Sequence, residues 1–243
     1  MKVIAIIPAA GLGTRMASAL GGKSKKQGAS KQFTELAGTP ILIHTLRRFS
    51  SNPEITEIYV ALRANEMDGF EKRLETTKDL RSEKIRTVEG GEHRQQSVGN
   101  ALARISAAAA DIVLVHDAVR PFVTEAIIQE VIRAAQKYGA AIAGMPAVDT
   151  VKQVERTSDG ALITATVPRE RVVMAQTPQG FRYEVLKKAF DEATADGFLG
   201  TDEASLVERS GHKVAVVMGS PRNIKITTPA DLELAEFYLK VAS

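Results

Sequence analysis

VIAIIPAAGLGTRM, residues 3–16, sets an apolar run, Val3 to Ile7, against a turn that carries two glycines and an arginine. A short apolar run that ends in such a turn reads as a buried strand delivering a loop to a ligand. The turn is neither of two common phosphate loops. A dinucleotide fingerprint needs a third glycine where Met16 stands, and a P-loop needs a G-x-x-x-x-G-K-[ST] string, which does not follow. What remains is a turn in which Gly11 and Gly13 let the backbone approach a ligand, Ala9 and Ala10 leave room beside it, and Arg15 adds a fork-shaped cation. N–H groups on such a turn can cradle phosphate oxygens. The plain alternative is a strand-to-helix turn with a surface arginine.

Outward from this stretch the pattern repeats. Ile55 to Leu62, Ile85 to Val88, Ile112 to His116 and Ala140 to Gly144 are further short apolar runs, read as buried parallel strands. Helical segments separate them: Pro40 to Phe49 with Thr39 as N-cap, Ser97 to Ala110, and Glu125 to Tyr138 behind Thr124. The alternation predicts an α/β fold built on a doubly wound parallel sheet, whose ligand crevice lies beyond the carboxyl ends of the strands. PAAGLGTRM, GGEHRQQS at residues 90–97 and HDAVRP at residues 116–121 each follow a strand, so they are expected to converge on one crevice.

After Pro146 the alternation stops. Thr150 to Val154 and Leu162 to Val167 flank an Asp159-Gly160 turn, which predicts a β-hairpin arm at about 146–170. Its edges want covering, and an identical arm from a second subunit would cover them, so a homodimer is expected. Helices are then predicted at Tyr183 to Ala195, Asp202 to Arg209 and from Pro229 behind Thr228, with strands at Lys213 to Met218 and Asn223 to Ile226. The length of 243 residues suits one domain spanning 1–243, arm included.

Composition narrows the chemistry. With no cysteine, disulfides, thiolate metal sites and cysteine nucleophiles are excluded, and only four histidines remain, so zinc catalysis is not expected. The net charge of +3 comes without a long basic block interleaved with aromatics, so small anionic ligands fit better than nucleic acid. No apolar run reaches membrane-spanning length and no signal-peptide pattern opens the chain, which is read as cytoplasmic, without a membrane partner.

HDAVRP places an acid at a buried strand's end, where Asp117 can bind a Mg²⁺ that also takes phosphate oxygens; a cap or turn role is the alternative. Arg120 either joins that site or pairs structurally, and His116 reads as a packed strand-end histidine without a catalytic role. In the basic stretch GGKSKKQGASKQ, residues 21–32, Lys31 adjoins the strand-like Gln32 to Leu36 and is better anchored than Lys23, Lys25 and Lys26. Later come Asp149-Thr150, Arg169 after Pro168, TPQGF at 177–181, TDEAS at 201–205 and NIKIT around Lys225. Taken singly, Thr201 with Asp202 and Glu203 reads as a helix cap and Lys225 as a surface lysine.

In this order, PAAGLGTRM, SKQF, GGEHRQQSV, HDAVRP, the DT of the arm, TPQGF, TDEAS and NIKIT resemble the 2-C-methyl-D-erythritol 4-phosphate cytidylyltransferase family over nearly the whole chain. The resemblance implies a Rossmann-like, glycosyltransferase-A-type nucleotidyltransferase sandwich with a protruding β-arm used in dimerisation. It implies an enzyme that uses CTP and Mg²⁺, joins CMP to a sugar-alcohol phosphate and releases pyrophosphate. By position, Arg15 and Lys31 match the pair that stabilises charge at the α-phosphate, and Asp117 the metal-site aspartate. Pro8, Ala9, Ala10, Gly11 and Gly13, with Gly91, Glu92, Ser97 and Ala118, match nucleotide-holding positions, the Gly91 to Ser97 stretch facing the cytosine. Arg169 and Lys225 match residues that orient the attacking phosphate. Thr150, Thr201 and Arg120 match positions lining the sugar-phosphate site, with Thr150 and Arg169 reaching across from the partner's arm.

One departure is the longer loop from Ala17 to Ser30, with three extra lysines; Lys26 is the alternative to Lys31, disfavoured because no Gln-aromatic pair follows it. A phosphomonoester has a second pKa of ~6, so the nucleophile is already ionised near neutral pH and no general base is required. A ribitol 5-phosphate cytidylyltransferase is the nearest rival, since its nucleotide half would look alike. A dinucleotide-dependent oxidoreductase is disfavoured by Met16 and by the lack of a placed ribose-binding acid near Leu62 to Asn65. A non-catalytic nucleotide sensor is disfavoured by retention of the charged site residues.

Overall fold

The structure, a computed structural model, describes residues 1–11, 31–108 and 110–242. Gly13, Arg15 and the basic stretch up to Ser30 lie outside the described residues. In chain order the strands are β1 (Val3–Pro8), β2 (Glu35–Leu36), β3 (Thr39–Pro40), β4 (Ile55–Leu62), β5 (Ile85–Glu89), β6 (Ile112–Val115), β7 (Ala140–Pro146), β8 (Val151–Thr157), β9 (Gly160–Val167), β10 (Val173–Arg182) and β11 (Ala215–Met218). The helices are α1 (Ile41–Ser50), α2 (Ala64–Thr76), α3 (Arg94–Leu102), α4 (Glu125–Tyr138), α5 (Tyr183–Ala195), α6 (Glu203–Arg209) and α7 (Pro229–Ala242).

β1 lies inside a seven-stranded sheet of order β11-β7-β10-β6-β1-β4-β5. Because successive strand residues face opposite sides, its alternate residues feed two cores. Val3, Ala5 and Ile7 pack with Leu46 and Phe49 of α1 and Val131 and Ile132 of α4. Ile4 and Ile6 pack on the other face with Val98 of α3 and Leu186 and Phe190 of α5. Burial on both faces is what makes these strands continuous apolar runs.

The strands read as parallel are parallel, and the sheet as a whole is mixed. β10 runs antiparallel to both β6 and β7. TPQGF, for which the sequence suggests no element, is therefore part of a central strand. Its proline costs a ladder donor, and the β10–β7 register shifts between Ala175 and Gln179, around Pro178. Gly180 is required by packing, since a Cβ there would stand 2.7 Å from Val131 Cγ1.

Several predicted boundaries move for local reasons. Thr39 is not the cap of α1: Thr39 and Pro40 pair with Leu36 and Glu35, and Pro40 occupies the cap position without a side-chain bond. α3 begins at Arg94 and ends at Leu102 rather than spanning Ser97 to Ala110. The alanines beyond it turn instead towards Asp111, whose carboxylate accepts from Ala108 N at 2.8 Å and Lys2 N at 2.7 Å. α2 has no counterpart in the sequence reading, because it buries only Phe70 and Leu74. Asn223 to Ile226 is not a strand: Asn223 Nδ2 donates to Thr177 O at 2.8 Å and Ile226 N to Val119 O at 2.9 Å, so side-chain and single backbone bonds replace a ladder.

α4 matches its predicted bounds, with Thr124 Oγ1 accepting from Ile127 N at 3.3 Å. Such a cap contributes about 1 kcal/mol. Asp202 and Ser205 form a capping box at α6, and Thr228 Oγ1 accepts from Asp231 N at 3.2 Å at the start of α7. β8 and β9 form the predicted hairpin, exposed almost throughout. Among the described residues, no helix is long and apolar enough to cross a membrane.

Candidate active site

β6, β1, β4 and β5 are parallel neighbours, so the loops that follow them share one edge of the sheet. Those loops are tied together. Ala9 N donates to Ala61 O at 2.7 Å and Gly90 N to Leu62 O at 2.7 Å, so the loops after β1 and β5 both rest on the end of β4. A Cβ on Gly90 would stand 2.4 Å from Ala10 Cβ and 3.0 Å from Ser97 Oγ, so the two loops meet at a place that only glycine fits.

Side chains from outside hold the Pro8–Gly11 loop. Gln32 Nε2 donates to Ala9 O, and Arg63 donates Nε to Ala10 O at 3.0 Å and Nη2 to Gly11 O at 3.4 Å. Gln32 is buried in a single 3₁₀ turn, Lys31–Phe33, so Lys31 leaves the chain next to this loop. The GGEHRQQS segment folds on itself. Gly91 N donates to Ser97 Oγ at 3.0 Å, Ser97 Oγ to His93 O at 3.1 Å, and Glu92 N to Gln96 Oε1 at 2.9 Å. Ser97 is buried and its hydroxyl shapes the loop. Ala118 is buried as well, its carbonyl accepting from Thr45 Oγ1 at 2.9 Å.

Asp117, just past β6, is the centre of the charge cluster. Its Oδ1 lies 3.4 Å from Arg94 Nε, and its Oδ2 lies 3.1 Å from Arg120 Nε and 2.9 Å from Lys225 Nζ. Arg94 Nη1 also lies 2.6 Å from both oxygens of the buried Glu203. Arg120 also donates Nη1 to Asn223 O at 2.7 Å, which fixes its place in the cluster. Burial pushes the Asp117 carboxyl up, but Arg94, Lys225 and Arg120 outweigh it and hold the group well below the usual carboxylate range. Burial likewise opposes the charge on Arg94, and the Glu203 and Asp117 carboxylates overcome it and raise its pKa. Three cations thus face two carboxylates, an excess of positive charge suited to an anionic ligand.

His116 is a packing residue, as its position suggests. Its ring lies 4.7 Å from that of Phe49, and burial pushes it down to about 4. The Arg120 carbonyl, 3.1 Å from Nε2, can only accept, which assigns the ring proton to Nε2. Nδ1 then accepts from Thr177 Oγ1 at 3.1 Å, and Thr177 Oγ1 accepts from Asp117 N at 3.0 Å. A single hydroxyl of β10 therefore orients both the histidine and the aspartate backbone.

Thr201 is exposed just ahead of α6. Its segment is fastened to β10 by Gln179, which donates to Asp202 Oδ2 at 2.7 Å and accepts from Ala204 N at 3.1 Å. Thr150 and Arg169 lie at the root of the arm, both exposed, with Arg169 Nη1 donating to Val148 O at 2.8 Å. Within the chain neither one bonds to the Asp117 cluster. Sequence reasoning missed Arg94, Glu203, Gln32 and Arg63. For Arg94 a signal exists: a cation in the first turn of a helix opposes the helix dipole and calls for carboxylate partners.

A family model for 2-C-methyl-D-erythritol 4-phosphate cytidylyltransferase matches residues 3–241. The chain belongs to this family. A family member from Acidobacterium capsulatum, named 2-C-methyl-D-erythritol 4-phosphate cytidylyltransferase, is 58% identical, covering 100% of this chain and 99% of its own. One of the same name from Solibacter usitatus is 51% identical, covering 99% and 96%. Among solved structures, the 4-diphosphocytidyl-2C-methyl-D-erythritol synthase of Anaerococcus prevotii superposes with a TM-score of 0.80 at 32% identity, covering 98% of each chain. The Francisella tularensis 2-C-methyl-D-erythritol 4-phosphate cytidylyltransferase superposes with a TM-score of 0.78 at 36% identity, covering 98% and 99%. The family's α/β fold, with its mixed and mostly parallel sheet, is the fold found here.

Proposed function

We propose that this protein transfers the CMP part of CTP to 2-C-methyl-D-erythritol 4-phosphate, giving 4-diphosphocytidyl-2-C-methyl-D-erythritol and pyrophosphate. The observation that carries this reading is the full-length family match, and the cluster of Arg94, Arg120 and Lys225 around Asp117 supports it. The methylerythritol 4-phosphate cytidylyltransferase name recurs across the similar relatives, which favours that acceptor over ribitol 5-phosphate.

A phosphate oxygen of the acceptor attacks the α-phosphorus of CTP, and the bond from that phosphorus to the oxygen bridging to the β-phosphorus breaks, its electron pair leaving with pyrophosphate. The attacking phosphate is largely a dianion near neutral pH, its second pKa being ~6, so no base removes a proton. Bringing it against a triphosphate is a matter of cations and positioning. The Pro8–Gly11 loop offers backbone donors to the triphosphate, Lys31 supplies charge beside it, and Lys225 and Arg120 hold the acceptor side. Arg15 joins Lys31 in this reading on the sequence alone.

Asp117 is the residue that would hold Mg²⁺. Its carboxylate is held ionised, as a hard cation needs, but Arg94, Arg120 and Lys225 already engage its oxygens, so Mg²⁺ would enter together with phosphate oxygens that take over those cations. Mg²⁺ bound there would neutralise phosphate charge. We further assign the protein to the cytoplasm, as a homodimer in which Thr150 and Arg169 of one arm complete the partner's crevice. Exposed Val154, Leu162 and Ile163 on the arm support that assembly.

Incubation with CTP, Mg²⁺ and each polyol phosphate in turn, following pyrophosphate, tests the reaction. Turnover is expected with methylerythritol 4-phosphate. Turnover with ribitol 5-phosphate alone would overturn the choice of acceptor.

A further inference from the structure

Three consecutive carbonyls of the loop after β1 are bonded by side chains from elsewhere, and one residue holds two of them. Arg63, the first residue past β4, donates to Ala10 O at 3.0 Å and to Gly11 O at 3.4 Å, while Gln32 holds Ala9 O. A trans peptide points its C=O and its N–H in opposite directions. Turning the Ala10 carbonyl towards Arg63 therefore turns the Gly11 N–H the other way, and Gln32 does the same for the Ala10 N–H. Neither N–H has a partner among the described residues, whereas the Ala9 N–H is spent on Ala61 O at 2.7 Å.

From this geometry we infer that Arg63 is a positioning residue for nucleotide binding, whose guanidinium sets the direction of the loop amides that receive the CTP phosphates. The inference rests on the proposed reading of this loop as the triphosphate cradle. A planar fork can bond two neighbouring carbonyls at once, which a lysine's compact ammonium does not do. Arg63 is also well placed to keep register, because the carbonyl of Leu62 before it accepts from Gly90 N at 2.7 Å. One short segment thus fastens the loop after β1 and the loop after β5.

The test compares wild type, Arg63→Met and Arg63→Lys in three measurements: steady-state kinetics in both substrates, CTP affinity by calorimetry without acceptor, and melting without ligand. Loss of charge-assisted bonds to two carbonyls is expected to raise both the Kd and the KM for CTP about tenfold in Arg63→Met. The KM for the acceptor and the ligand-free melting temperature stay near wild type, and Arg63→Lys recovers little. An unchanged CTP Kd in Arg63→Met overturns the inference. So does full recovery by lysine, which would make Arg63 a charge on the phosphate, and so does a parallel rise in both KM values with a lower melting temperature, which would make it structural. Failure of the wild-type protein to bind CTP strikes the proposed function itself, a result separate from these.

Discussion

Lys31 and His116 are two cationic residue types put to opposite uses. Lys31 stands on a turn that Gln32 pins beside the Pro8–Gly11 loop, and the proposed chemistry gives it charge to meet in the transition state. Losing one such charge costs about 10² to 10³ in rate. Lys31→Ala is therefore expected to lower kcat by that factor with little change in the KM for CTP, as steady-state kinetics will read. His116 is held neutral, its pKa down to about 4. The unfolded ring protonates near pH 6.5 and the folded ring only near 4, so acid favours the unfolded chain. This contribution to stability is complete above pH 6.5 and is lost as the pH falls towards 4, about 3 kcal/mol in all. Urea unfolding at pH 7 and pH 4.5 should show a steeper acid loss in wild type than in His116→Gln, whose amide does not titrate.

At the scale of elements, the decisive contact is between the loops after β1 and β5. A methyl group on Gly90 would stand 2.4 Å from Ala10 Cβ, so Gly90→Ala must part the loops. The expected result is a KM for CTP raised about tenfold or more, the cost of a core overpacked by one methyl, with the far-ultraviolet circular dichroism of the folded protein retained. The parallel strands β1 and β6 were legible because each is apolar on both faces, β4 and β5 because short apolar stretches remain in them, and α4 because Thr124 marks its start. β10 was not, since Pro178 and Gly180 interrupt the strand pattern and the segment owes its burial to β6 and β7. α2 failed for the opposite reason, a stripe of only Phe70 and Leu74 being too thin to register. In the site, Asp117, Arg120 and Lys225 were each readable as candidates. Their meeting was not, nor was the Arg94–Glu203 pair, because a contact across 109 residues leaves no local pattern.

Across the whole molecule the sheet has two parts, β6-β1-β4-β5 and β11-β7-β10, joined where β10 pairs with β6. The arm leaves from the end of β7 and returns into β10, with Pro146 opposite Val173 at its root. Leu162 and Ile163 on it are each 65% exposed. If the arm is covered by a partner, Leu162→Glu with Ile163→Glu should shift sedimentation from dimer to monomer at micromolar concentration and abolish turnover, while the monomer stays folded. A dimer that persists in this double variant would remove the arm from the assembly. The join between the two parts has a consequence for how the protein is made. Residues 3–115 supply four neighbouring strands, able to pair while synthesis continues, whereas the hydroxyl that braces Asp117 arrives with Thr177, and Lys225 later still. A ribosome halted in the arm would therefore hold a chain that already has Arg94, Asp117 and Arg120 but lacks Thr177, Glu203 and Lys225, a nascent charge cluster without its brace or its balance.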